Sequence, residues 1–421
     1  MNETFDIAET SDWTPVSSMI KVIGVGGGGC NAVNYMYREK VEGCSFIVCN
    51  TDEQALRGSP VPVKIHIGKN SLGAGTDPAK GRTAALEALE KIDKVVLGPE
   101  TQMLFITAGM GGGTGTGAAP IIAKRSKDKG ILTVAVVTIP FENEGSAPLS
   151  RAIDGIHELV KNVDSLLIIN NEKLHDFFGD HLVHKALPKA DEVLATAVRG
   201  ITEIISKPGY INVDFEDVKT MMRNSGMALM GCGIGTGPTR LDDAVTGALQ
   251  SPLLNDFDLK TAKNILVNIT CVDNEKGLTM DEFHQINEKI DEYTGGVKKF
   301  KTGLVWEKDP SAGDQVKITA IATGFKVNDL SKIAKTDLGN LIMIDRDFKY
   351  EKGKRVIPED NSISNLVNGV KTIGFTEEGN VKRYHFDKDE KPVLLIGPGE
   401  SKAELEAVPA IKRTVRREKE A

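Results

Sequence analysis

The sequence predicts a two-part α/β protein whose larger part is a doubly wound parallel sheet. Three observations lead to this prediction. Short apolar runs alternate with helix-like segments from Ile20 to Asn171, most of the runs are apolar on both faces, and glycine-rich turns follow several of them. Strands buried on both faces and separated by helices are typical of parallel sheets covered by helices. Ligands of such sheets bind at the carboxyl ends of the strands, where the glycine-rich turns lie.

The elements of this sheet follow one another in order. Six apolar runs are predicted as its strands: Ile20–Val25, Phe46–Asn50, Val63–Ile67, Met103–Ala108, Leu132–Ile139 and Ser165–Asn170. The segments between the runs have helical patterns. The helices expected there include one from about Asn31 and those at Gly81–Val96, Ala118–Lys127 and Ala152–Val163.

The pattern changes after this region. Lys189–Ser206 reads as one long amphipathic helix. Strands that follow with fewer intervening helices predict a smaller α+β domain ending near Phe325. We expect its helices near Phe215–Met230, Thr239–Gln250 and Thr279–Glu292, and its strands near Asn264–Val272, Gly303–Glu307 and Gln315–Thr323.

The composition excludes several classes of function. The chain has 421 residues, 40% apolar and 26% charged, so it has room for two ordinary globular domains. A net charge of −7 gives no basic footprint for nucleic acid, and no apolar run approaches the ~18 residues of a membrane span. The five cysteines form no CxxC pair, and the acidic N-terminus lacks the features of a secretory signal. These features predict a reduced, cytoplasmic setting and no fixed protein metal site.

Three glycine-rich turns each follow a predicted strand. Gly24–Gly29 fits G-x-G-x-x-G, which places phosphate on backbone N–H groups at a helix N-terminus but is a weak motif alone. Gly73–Pro78 and Gly111–Pro120 follow the third and fourth strands. The structural alternative is that glycine serves tight turns and close helix packing. That alternative is as good for Gly24–Gly29 taken alone, and weaker for Gly111–Pro120.

Taken together, the turns indicate a ligand with a chain of phosphates. Two phosphate-type loops in one sheet are more than a nicotinamide cofactor requires, and the Thr114 and Thr116 hydroxyls would add donors to the N–H groups. The chain has no G-x-x-x-x-G-K-[ST] motif, which excludes the P-loop mechanism. A nicotinamide-dependent oxidoreductase, resting on Gly24–Gly29 and the acid Asp52, stays open as an alternative at this point.

Several motifs in the same order resemble those of the bacterial cell-division GTPases in the tubulin/FtsZ family. The resemblance runs from Met19 to about Phe325 and is carried by these segments: "IKVIGVGGGGCNAV", "VCNTDEQAL", "GAGTDPAKGR", "FITAGMGGGTGTGAAPIIA", "KADEVLATA", "INVDFEDVKTMM" and "SPLLNDFDL". It implies a tubulin-like fold, GTP or GDP with Mg²⁺, and polymerisation-dependent GTP hydrolysis. It also implies that subunits join head to tail into filaments that form a ring at the future septum.

The resemblance also implies a division of the chain. The expected parts are a flexible N-terminal segment (1–18), a GTP-binding domain (19–185), a central helix (186–207), an α+β domain carrying a catalytic loop (208–327), a variable linker (328–404) and a C-terminal docking peptide (405–421). The polar, broken segment from Asp345 to Ala403 favours a linker that is mostly flexible.

Site residues are implied by matching positions. The first loop would line the nucleotide through Gly27, Gly28, Gly29, Cys30 and Asn31, and the second strand would end near sugar, phosphate or Mg²⁺ with Asn50 and Asp52. The γ-phosphate would meet Ala74, Gly75 and Thr76, and the α- and β-phosphates would meet Gly112, Gly113, Thr114, Gly115 and Thr116. Ribose would be bound by Glu144, and guanine would be read by Asn171 and Asp191. From the residues alone, Asp52 and Asp191 read equally as helix or turn acids.

The catalytic residues implied by the resemblance lie in "NVDFED". In this family the corresponding loop enters the nucleotide site of the next subunit, where Asp214 and Asp217 position the attacking water with Asn212 alongside. If the segment is helical, the two acids share one face. An acidic helix start is the alternative reading of this segment.

Two positions depart from the family pattern. Pro148 stands where the family has an arginine that contacts the nucleotide, and Leu187 stands where a phenylalanine stacks on guanine. Base–aromatic stacking is worth ~1–3 kcal/mol in other systems, so GTP affinity or turnover below the family norm is expected. Arg151, three residues after Pro148, is placed to approach the nucleotide from the next helical turn. The departures also favour an alternative, a divergent relative that binds GTP with weak or no hydrolysis and acts as a regulator.

The C-terminal segment resembles the family's docking peptide for membrane-tethering and regulatory division proteins. Its candidate contacts are Val408, Pro409, Ala410, Ile411, Lys412 and Arg413. The alternative is that this segment is a solvated tail without a binding role. The partners implied are thus other copies of the chain and these division proteins, without nucleic acid or membrane insertion. The expected location is the cytoplasm, concentrated at midcell.

Overall fold

A computed structural model describes residues 18–69, 71–172, 182–206, 209–211, 213–250, 259–296, 299–307 and 313–325, with four short strand segments between 366 and 385. The chain divides into two compact units, Met1–Val327 and Asn328–Ala421. Within the described residues, none of the helices combines the length and apolar character needed to cross a bilayer.

The first unit contains an extended mixed sheet with eleven described strands. They are β1 (Ile20–Val25), β2 (Ser45–Asn50), β3 (Val63–His66), β4 (Met103–Gly109), β5 (Leu132–Ile139), β6 (Ser165–Asn170), β7 (Gly209–Ile211), β8 (Gly226–Gly235), β9 (Asn264–Val272), β10 (Lys299–Glu307) and β11 (Val316–Phe325). Their order across the sheet is β3-β2-β1-β4-β5-β6-β8-β11-β9-β10-β7.

Ten described α-helices accompany these strands. They are α1 (Gly26–Arg38), α2 (Glu53–Arg57), α3 (Pro78–Glu87), α4 (Leu89–Val95), α5 (Gly113–Asp128), α6 (Ser146–Asn162), α7 (Val183–Ser206), α8 (Phe215–Met222), α9 (Arg240–Leu249) and α10 (Met280–Thr294). Short 3₁₀ turns lie at Glu142–Glu144, Gly237–Thr239 and Leu259–Thr261.

The first six strands confirm the predicted doubly wound fold. All five pairings among β1 to β6 are parallel, and their order is 3-2-1-4-5-6. This order places its topological switch between β1 and β4, because the chain moves outward in opposite directions from these two strands. Every residue of β1 and β5 is buried, as expected of strands covered on both faces.

The remaining strands form the mixed half of the sheet. β8 joins β6 in parallel through the pairs Ser165–Gly226 to Leu167–Ala228, while β11 lies antiparallel between β8 and β9. β10 is parallel to β9, and the short β7 is antiparallel to β10 at the sheet edge. Helix α7 bridges the two halves in sequence and supplies buried side chains such as Leu194 and Val198 to the core.

One predicted helix was wrong in its second half. Helix α8 ends at Met222, and Gly226–Gly235 is strand β8. Left-handed backbone at Asn224 (φ 48°) and Gly226 (φ 76°) separates the two elements. The apolar run that follows is a buried strand, and Gly233 lies so close to α9 that a Cβ there would meet the Ala244 carbonyl. Apolar content without clear periodicity does not distinguish a buried strand from a helix.

Several helix boundaries also differ from expectation, including the starts of α6 at Ser146 rather than Ala152 and of α7 at Val183 rather than Lys189. α1 begins at Gly26 rather than near Asn31, and α5 begins at Gly113 rather than Ala118, so both glycine motifs form first helical turns. Low helix propensity is overridden there by close packing. The predicted helix Gly81–Val96 is two helices that break at Ala88.

The second unit contains two short antiparallel strand pairs in the segment expected to be a mostly flexible linker. β12 (Leu366–Val367) pairs with β13 (Val370–Lys371), and β14 (Gly374–Glu378) pairs with β15 (Val381–His385). The last two strands are separated in sequence by Gly-Asn, a dipeptide favoured in hairpin turns.

Candidate functional site

The candidate site lies at the switch point of the parallel sheet. β1 and β4 are neighbours, and each is followed directly by a helix that begins in a glycine motif, α1 after β1 and α5 after β4. Both helix N-termini therefore lie at the carboxyl edge of the sheet, side by side. This is the position at which doubly wound sheets bind their ligands.

The two glycine motifs approach each other more closely than side chains would permit. A Cβ on Gly28 would lie 3.2 Å from the Gly109 Cα, and one on Gly26 would lie 2.8 Å from the Gly115 nitrogen. Gly26 also has a φ of 73°, which side chains rarely adopt. Bare backbone is therefore required for the helices to bring their first turns together.

The helix N-termini are suited to an anion. Among the described residues, no side chain caps either α1 or α5. The first-turn N–H groups are therefore left for a ligand, except that of Gly113, which donates to a backbone carbonyl. Gly27, Gly28 and Gly112 are exposed, and Cβ atoms on Gly27 and Gly112 would meet open space. Uncapped N–H groups and two aligned helix dipoles favour negative charge at this point.

The hydroxyls of Thr114 and Thr116 form buried hydrogen bonds that stabilise the glycine motif of α5. The Thr114 hydroxyl lies 2.7 Å from the Thr51 hydroxyl, and both residues are buried. The Gly111 N–H donates to the Thr116 hydroxyl at 2.8 Å. Thr116 thus supports the loop that precedes α5. Thr51 was not identified from the sequence, although it lies between Asn50 and Asp52 at the end of β2.

Asn50 and Asp52 are engaged in local turns. The Asn50 Oδ1 accepts from the Thr51 N–H at 2.9 Å and from the Asp52 N–H at 3.3 Å. The Asp52 carboxylate caps α2 by accepting from the Ala55 N–H at 3.1 Å. The helix-cap reading of Asp52 therefore describes its contacts in this chain. These turns hold the end of β2 beside the glycine motifs.

The third glycine-rich turn packs against the start of α5. The Gly113 N–H donates to the Gly75 carbonyl at 2.9 Å, and the Gly73 N–H donates to the Thr51 carbonyl at 3.3 Å. Ala74, Gly75 and Thr76 consequently border the same N-terminus. A cleft of about 420 Å³ opens beside this turn, lined by Thr51, Gly68, Lys69, Gly73, Ala74, Ala79, Lys80, Thr83, Ala84 and Glu87.

Asn171 and Asp191 differ from the glycine motifs because their polar side chains, rather than their backbone groups, lack the hydrogen bonds or the solvation that such groups need. The Asn171 Oδ1 is buried and has no hydrogen-bond partner among the described residues. Burial raises the pKa of Asp191 to about 6, although the Arg38 guanidinium opposes the shift. An orphaned acceptor and a desolvated carboxylate are both costly in an unliganded protein, so both fit a polar ligand. Asn171 follows β6, at the carboxyl edge of the sheet.

Cys30, Asn31 and Glu144 have less distinctive positions. The Cys30 thiol is buried and donates weakly to the Gly24 and Cys49 carbonyls at 3.6 Å, and burial raises its pKa to about 12. Its side chain therefore has no thiolate character, and only its backbone is suited to a ligand. Asn31 is exposed on α1, and the exposed Glu144 accepts from the Phe141 N–H at 2.9 Å.

The acidic residues of "NVDFED" form the start of α8. Asp214 caps the helix by accepting from the Asp217 N–H at 2.7 Å, and Asp217 accepts in return from the Asp214 N–H at 3.3 Å. Lys301 pairs with Asp217 at 2.9 Å. The reciprocal cap holds the two carboxylates at one helix end. Asn212 lies outside the described residues.

The acidic helix α8 lies at the amino ends of the parallel strands, whereas the glycine motifs lie at the carboxyl ends. Just after α8, the Arg223 guanidinium donates to the Gly130 carbonyl and the Asn224 N–H donates to the Asp164 carboxylate, both immediately before β5 and β6. Lys301 is likewise near the start of β10. The glycine motifs follow the carboxyl ends of β1 and β4, which have six and seven residues and therefore span about 20–23 Å. Asp214 and Asp217 therefore do not reach the glycine motifs of their own chain.

The sequence did not decide whether Arg151 approaches the glycine motif of α5, and the structure shows that it does. It lies on α6, and its Nε donates to the Gly111 carbonyl at 2.8 Å. Pro148 packs on the same glycine, since a Cβ at Gly111 would lie 2.9 Å from the Pro148 carbonyl. The side chain of Leu187 and the docking residues Val408 to Arg413 lie outside the described residues.

Comparisons with known proteins match both halves of the first unit. The model of the Tubulin/FtsZ family, GTPase domain, matches residues 19–179, and that of the FtsZ family, C-terminal domain, matches residues 226–326. The chain is 48% identical over 320 residues to the Cell division protein FtsZ of Pseudomonas putida, covering 75% of this chain and 79% of that protein. It is 44% identical over 346 residues to the protein of the same name from Porphyromonas gingivalis, covering 81% and 74%.

Solved structures give the same result for the fold. The chain is similar to a structure described as "FtsZ dimer, empty" from M. jannaschii, with a TM-score of 0.66, 38% identity, and 72% of this chain and 88% of that chain covered. It is also similar to the GTPγS-bound CetZ2 protofilament from Haloferax volcanii, with a TM-score of 0.63 and 18% identity, over 75% and 96%. The second likeness shows only the fold, which is tubulin-like.

Proposed function

Because this chain belongs to the FtsZ family and is a GTPase, we propose that it polymerises head to tail and completes GTP hydrolysis between subunits. The observation that carries the proposal is the separation of the glycine motifs from the acidic start of α8. Two halves of one catalytic site at opposite edges of a sheet meet only when a second copy stacks on the first. Such contacts are heterologous, so they propagate into a filament rather than closing into a dimer.

GTP and GDP binding follows from the family, and we assign the phosphates to the glycine motifs. Uncapped N–H groups at α1 and α5 fit their negative charge. The residues proposed for phosphate and sugar are Gly27, Gly28, Gly29, Cys30, Asn31, Asn50, Asp52, Ala74, Gly75, Thr76, Gly112, Gly113, Thr114, Gly115, Thr116 and Glu144.

The guanine base is assigned to Asn171 and Asp191. A carboxylate accepts from the ring N–H and the exocyclic amine of guanine together, which is a pattern that adenine does not offer. The ligand would also provide a partner for the orphaned Asn171 Oδ1. Base recognition therefore supplies a reason for keeping two costly polar groups.

Hydrolysis is assigned to the next subunit's Asp214 and Asp217, with Asn212 beside them. The reciprocal cap keeps the carboxylates in a fixed arrangement at the helix end, where Asp214 is exposed. Two fixed acceptors can orient a water for attack on the γ-phosphate. Because these acids arrive with the neighbouring subunit, turnover would require assembly.

Mg²⁺ would be held mainly through the phosphates of the bound nucleotide. Across the described parts of the chain, no group of three or more His, Cys, Asp or Glu side chains is arranged to hold a metal ion. Magnesium bound with a nucleotide needs only one or two protein oxygens besides phosphate and water. When bound, it supplies positive charge that neutralises the phosphates.

In the cell, these filaments would form the division ring at midcell in the cytoplasm. Residues 405–421 would dock membrane-tethering and regulatory proteins through Val408 to Arg413, since a short apolar patch precedes basic residues there. The neighbour described as a dimer, which is 38% identical to this chain, supports self-association. A relative that binds GTP without hydrolysis is not favoured, because the chain belongs to a GTPase family.

Mixing two inactive variants tests catalysis between subunits. Asp214→Asn keeps an acceptor for the helix cap but loses the carboxylate charge, and Asp191→Asn keeps the acidic loop but loses guanine recognition. Each alone should release little phosphate from GTP. The mixture should release severalfold more than the sum of the two, because a junction can combine one intact nucleotide site with one intact acidic loop.

The control is Glu216→Gln, which removes an exposed acid from the same helix turn. It should keep most of the wild-type rate, and that rate should rise steeply above a threshold protein concentration. A mixture no faster than its components, with a wild-type rate per subunit that is independent of concentration, would contradict hydrolysis between subunits.

A further inference from the structure

Helix α6 lies against the glycine motif that begins α5. The contact is close because Gly155 on α6 has no side chain, and a Cβ there would lie 2.7 Å from the Met110 side chain and would also meet that of Thr116. The first turns of α6 therefore cover Gly111, the residue that precedes the N-cap of α5. Arg151 lies in this covered region and is half-buried.

The peptide between Gly111 and Gly112 is held through its carbonyl by Arg151. The Nε donates to that carbonyl at 2.8 Å, while the Gly111 N–H is held by the Thr116 hydroxyl at 2.8 Å. Gly111 also has a φ of 100°, a backbone conformation that glycine adopts freely and residues with side chains rarely do. The loop is thus fixed on both sides of one glycine.

Fixing this carbonyl fixes the next N–H. A trans peptide is planar, with its C=O and the following N–H pointing in opposite directions. With the Gly111 carbonyl turned toward Arg151, the Gly112 N–H must point away from α6. Gly112 is the N-cap residue of α5 and is exposed, with open space where its Cβ would be.

The positive charge of Arg151 also lies at the N-terminus of α5. Among ion pairs between described residues, none includes Arg151. Its guanidinium is instead bonded to a neutral carbonyl at the positive end of α5. An unneutralised cation and the helix dipole there both favour a bound anion.

We propose that Arg151 is a positioning residue for the phosphates, which orients the Gly112 N–H and adds positive charge beside it. This inference rests on the proposed assignment of the glycine motifs to nucleotide phosphates. It gives this chain a phosphate-loop arginine one helical turn after Pro148. Because the loop would grip phosphates common to GTP and GDP, Arg151 should affect the affinity for both nucleotides equally.

The test compares Arg151→Ala, Arg151→Lys and Lys161→Ala in the full chain. Lys161 is the matched control, since it is an exposed cation in the last turn of the same helix. Dissociation constants for fluorescent GDP and GTP analogues are measured below the assembly threshold, and turnover is measured at saturating GTP. Arg151→Ala should weaken both nucleotides about tenfold, the loss expected of one charge-assisted hydrogen bond.

Three further results complete the test. Arg151→Lys should recover part of the affinity, Lys161→Ala should stay within about twofold of wild type, and turnover at saturating GTP should be little changed for all three. The proposal is overturned if Arg151→Ala binds like Lys161→Ala, or if its loss comes with a lowered melting temperature and no recovery in Arg151→Lys. Failure of the wild type itself to bind GTP would instead reject the assignment of the site.

Discussion

The proposed phosphate end and the proposed base end of the candidate site are built in opposite ways. At the phosphate end, the glycine motifs present backbone N–H groups, and at positions such as Gly26 and Gly115 a side chain would collide with the facing backbone. At the base end, Asn171 and Asp191 present side chains whose burial is costly. The first arrangement is stable without ligand, whereas the second lowers stability until a ligand pairs with it. Predictions that separate affinity from stability therefore test this difference.

The largest effect is expected from Asp191→Asn. Its amide keeps one acceptor but replaces the other with a donor, so guanine would face a donor with its own exocyclic amine. The affinity for GTP should fall by about 100-fold or more, because a buried polar group is left unpaired. Xanthosine triphosphate, which has a carbonyl in place of that amine, should bind the variant better than GTP does.

The control is Glu192→Gln, the adjacent acid on α7, which pairs with Lys189. It makes the same change in charge and should leave both affinities unchanged. Competition of each nucleotide against a fluorescent analogue measures these affinities. An Asp191→Asn variant that keeps its preference for GTP over xanthosine triphosphate would remove Asp191 from base recognition.

The two ends also differed in how much the sequence revealed. Glycine density at Gly111–Pro120 predicted a closely approached backbone, which the packing of α5 confirms, and the phosphate assignment stays a proposal. The packing that makes the glycines necessary came from the structure, as did the helical conformation of the motifs. Asp191 was not distinguishable from a surface helix acid, since its desolvation depends on packing against residues distant in sequence.

The same limit applied to the fold and to Arg151. The parallel half was predictable because its strands are short apolar runs with clear boundaries. Gly226–Met230, the first half of β8, was predicted as helix because its apolar pattern has no clear period. Arg151 was identified only as a candidate, since its contact with Gly111 depends on how α6 lies on α5. Long-range packing therefore decided what local pattern did not.

An intermediate effect is expected from Gly27→Ala at the phosphate end. A Cβ at Gly27 would meet no protein atom within 4 Å, so the apo protein should tolerate it. Alanine has a helix propensity up to ~1 kcal/mol better than that of glycine, and the free energy of unfolding should rise slightly. Affinity for GTP should nevertheless fall about tenfold, because the new methyl group would restrict close approach of phosphate to the first-turn N–H groups.

Gly58→Ala is the matched control for this prediction. Its Cβ would also be uncrowded, with nearest atoms at 3.8 Å, but it lies at the end of α2 and not in a glycine motif. Urea unfolding and nucleotide titration are measured on both variants. Unchanged GTP affinity in Gly27→Ala would mean that phosphate does not approach the start of α1, and the comparison of the two ends would fail.

The smallest effect concerns the apo protein and sharpens the comparison at the base end. The pKa of Asp191 is about 6 in the folded chain, above the value of about 4 expected in the unfolded chain. The folded state therefore holds this proton more tightly, and the free energy of unfolding should fall as pH rises from about 4 to about 6, then level off. After allowance for solvent screening of a partly exposed group, the fall attributable to Asp191 is about 1–2 kcal/mol.

Asp191→Asn lacks this titration, so without nucleotide it should be more stable than wild type by about that amount at pH 7.5 and nearly equal to it near pH 4. Urea unfolding of both proteins across this range measures the difference. GTP affinity of the wild type should also weaken as pH falls below 6, because the neutral carboxyl no longer accepts two hydrogen bonds. If instead the two proteins are equally stable at pH 7.5, the carboxylate is not costly to bury. Asp191 would then need no ligand to explain it, and the base end would not differ from the phosphate end in the way proposed.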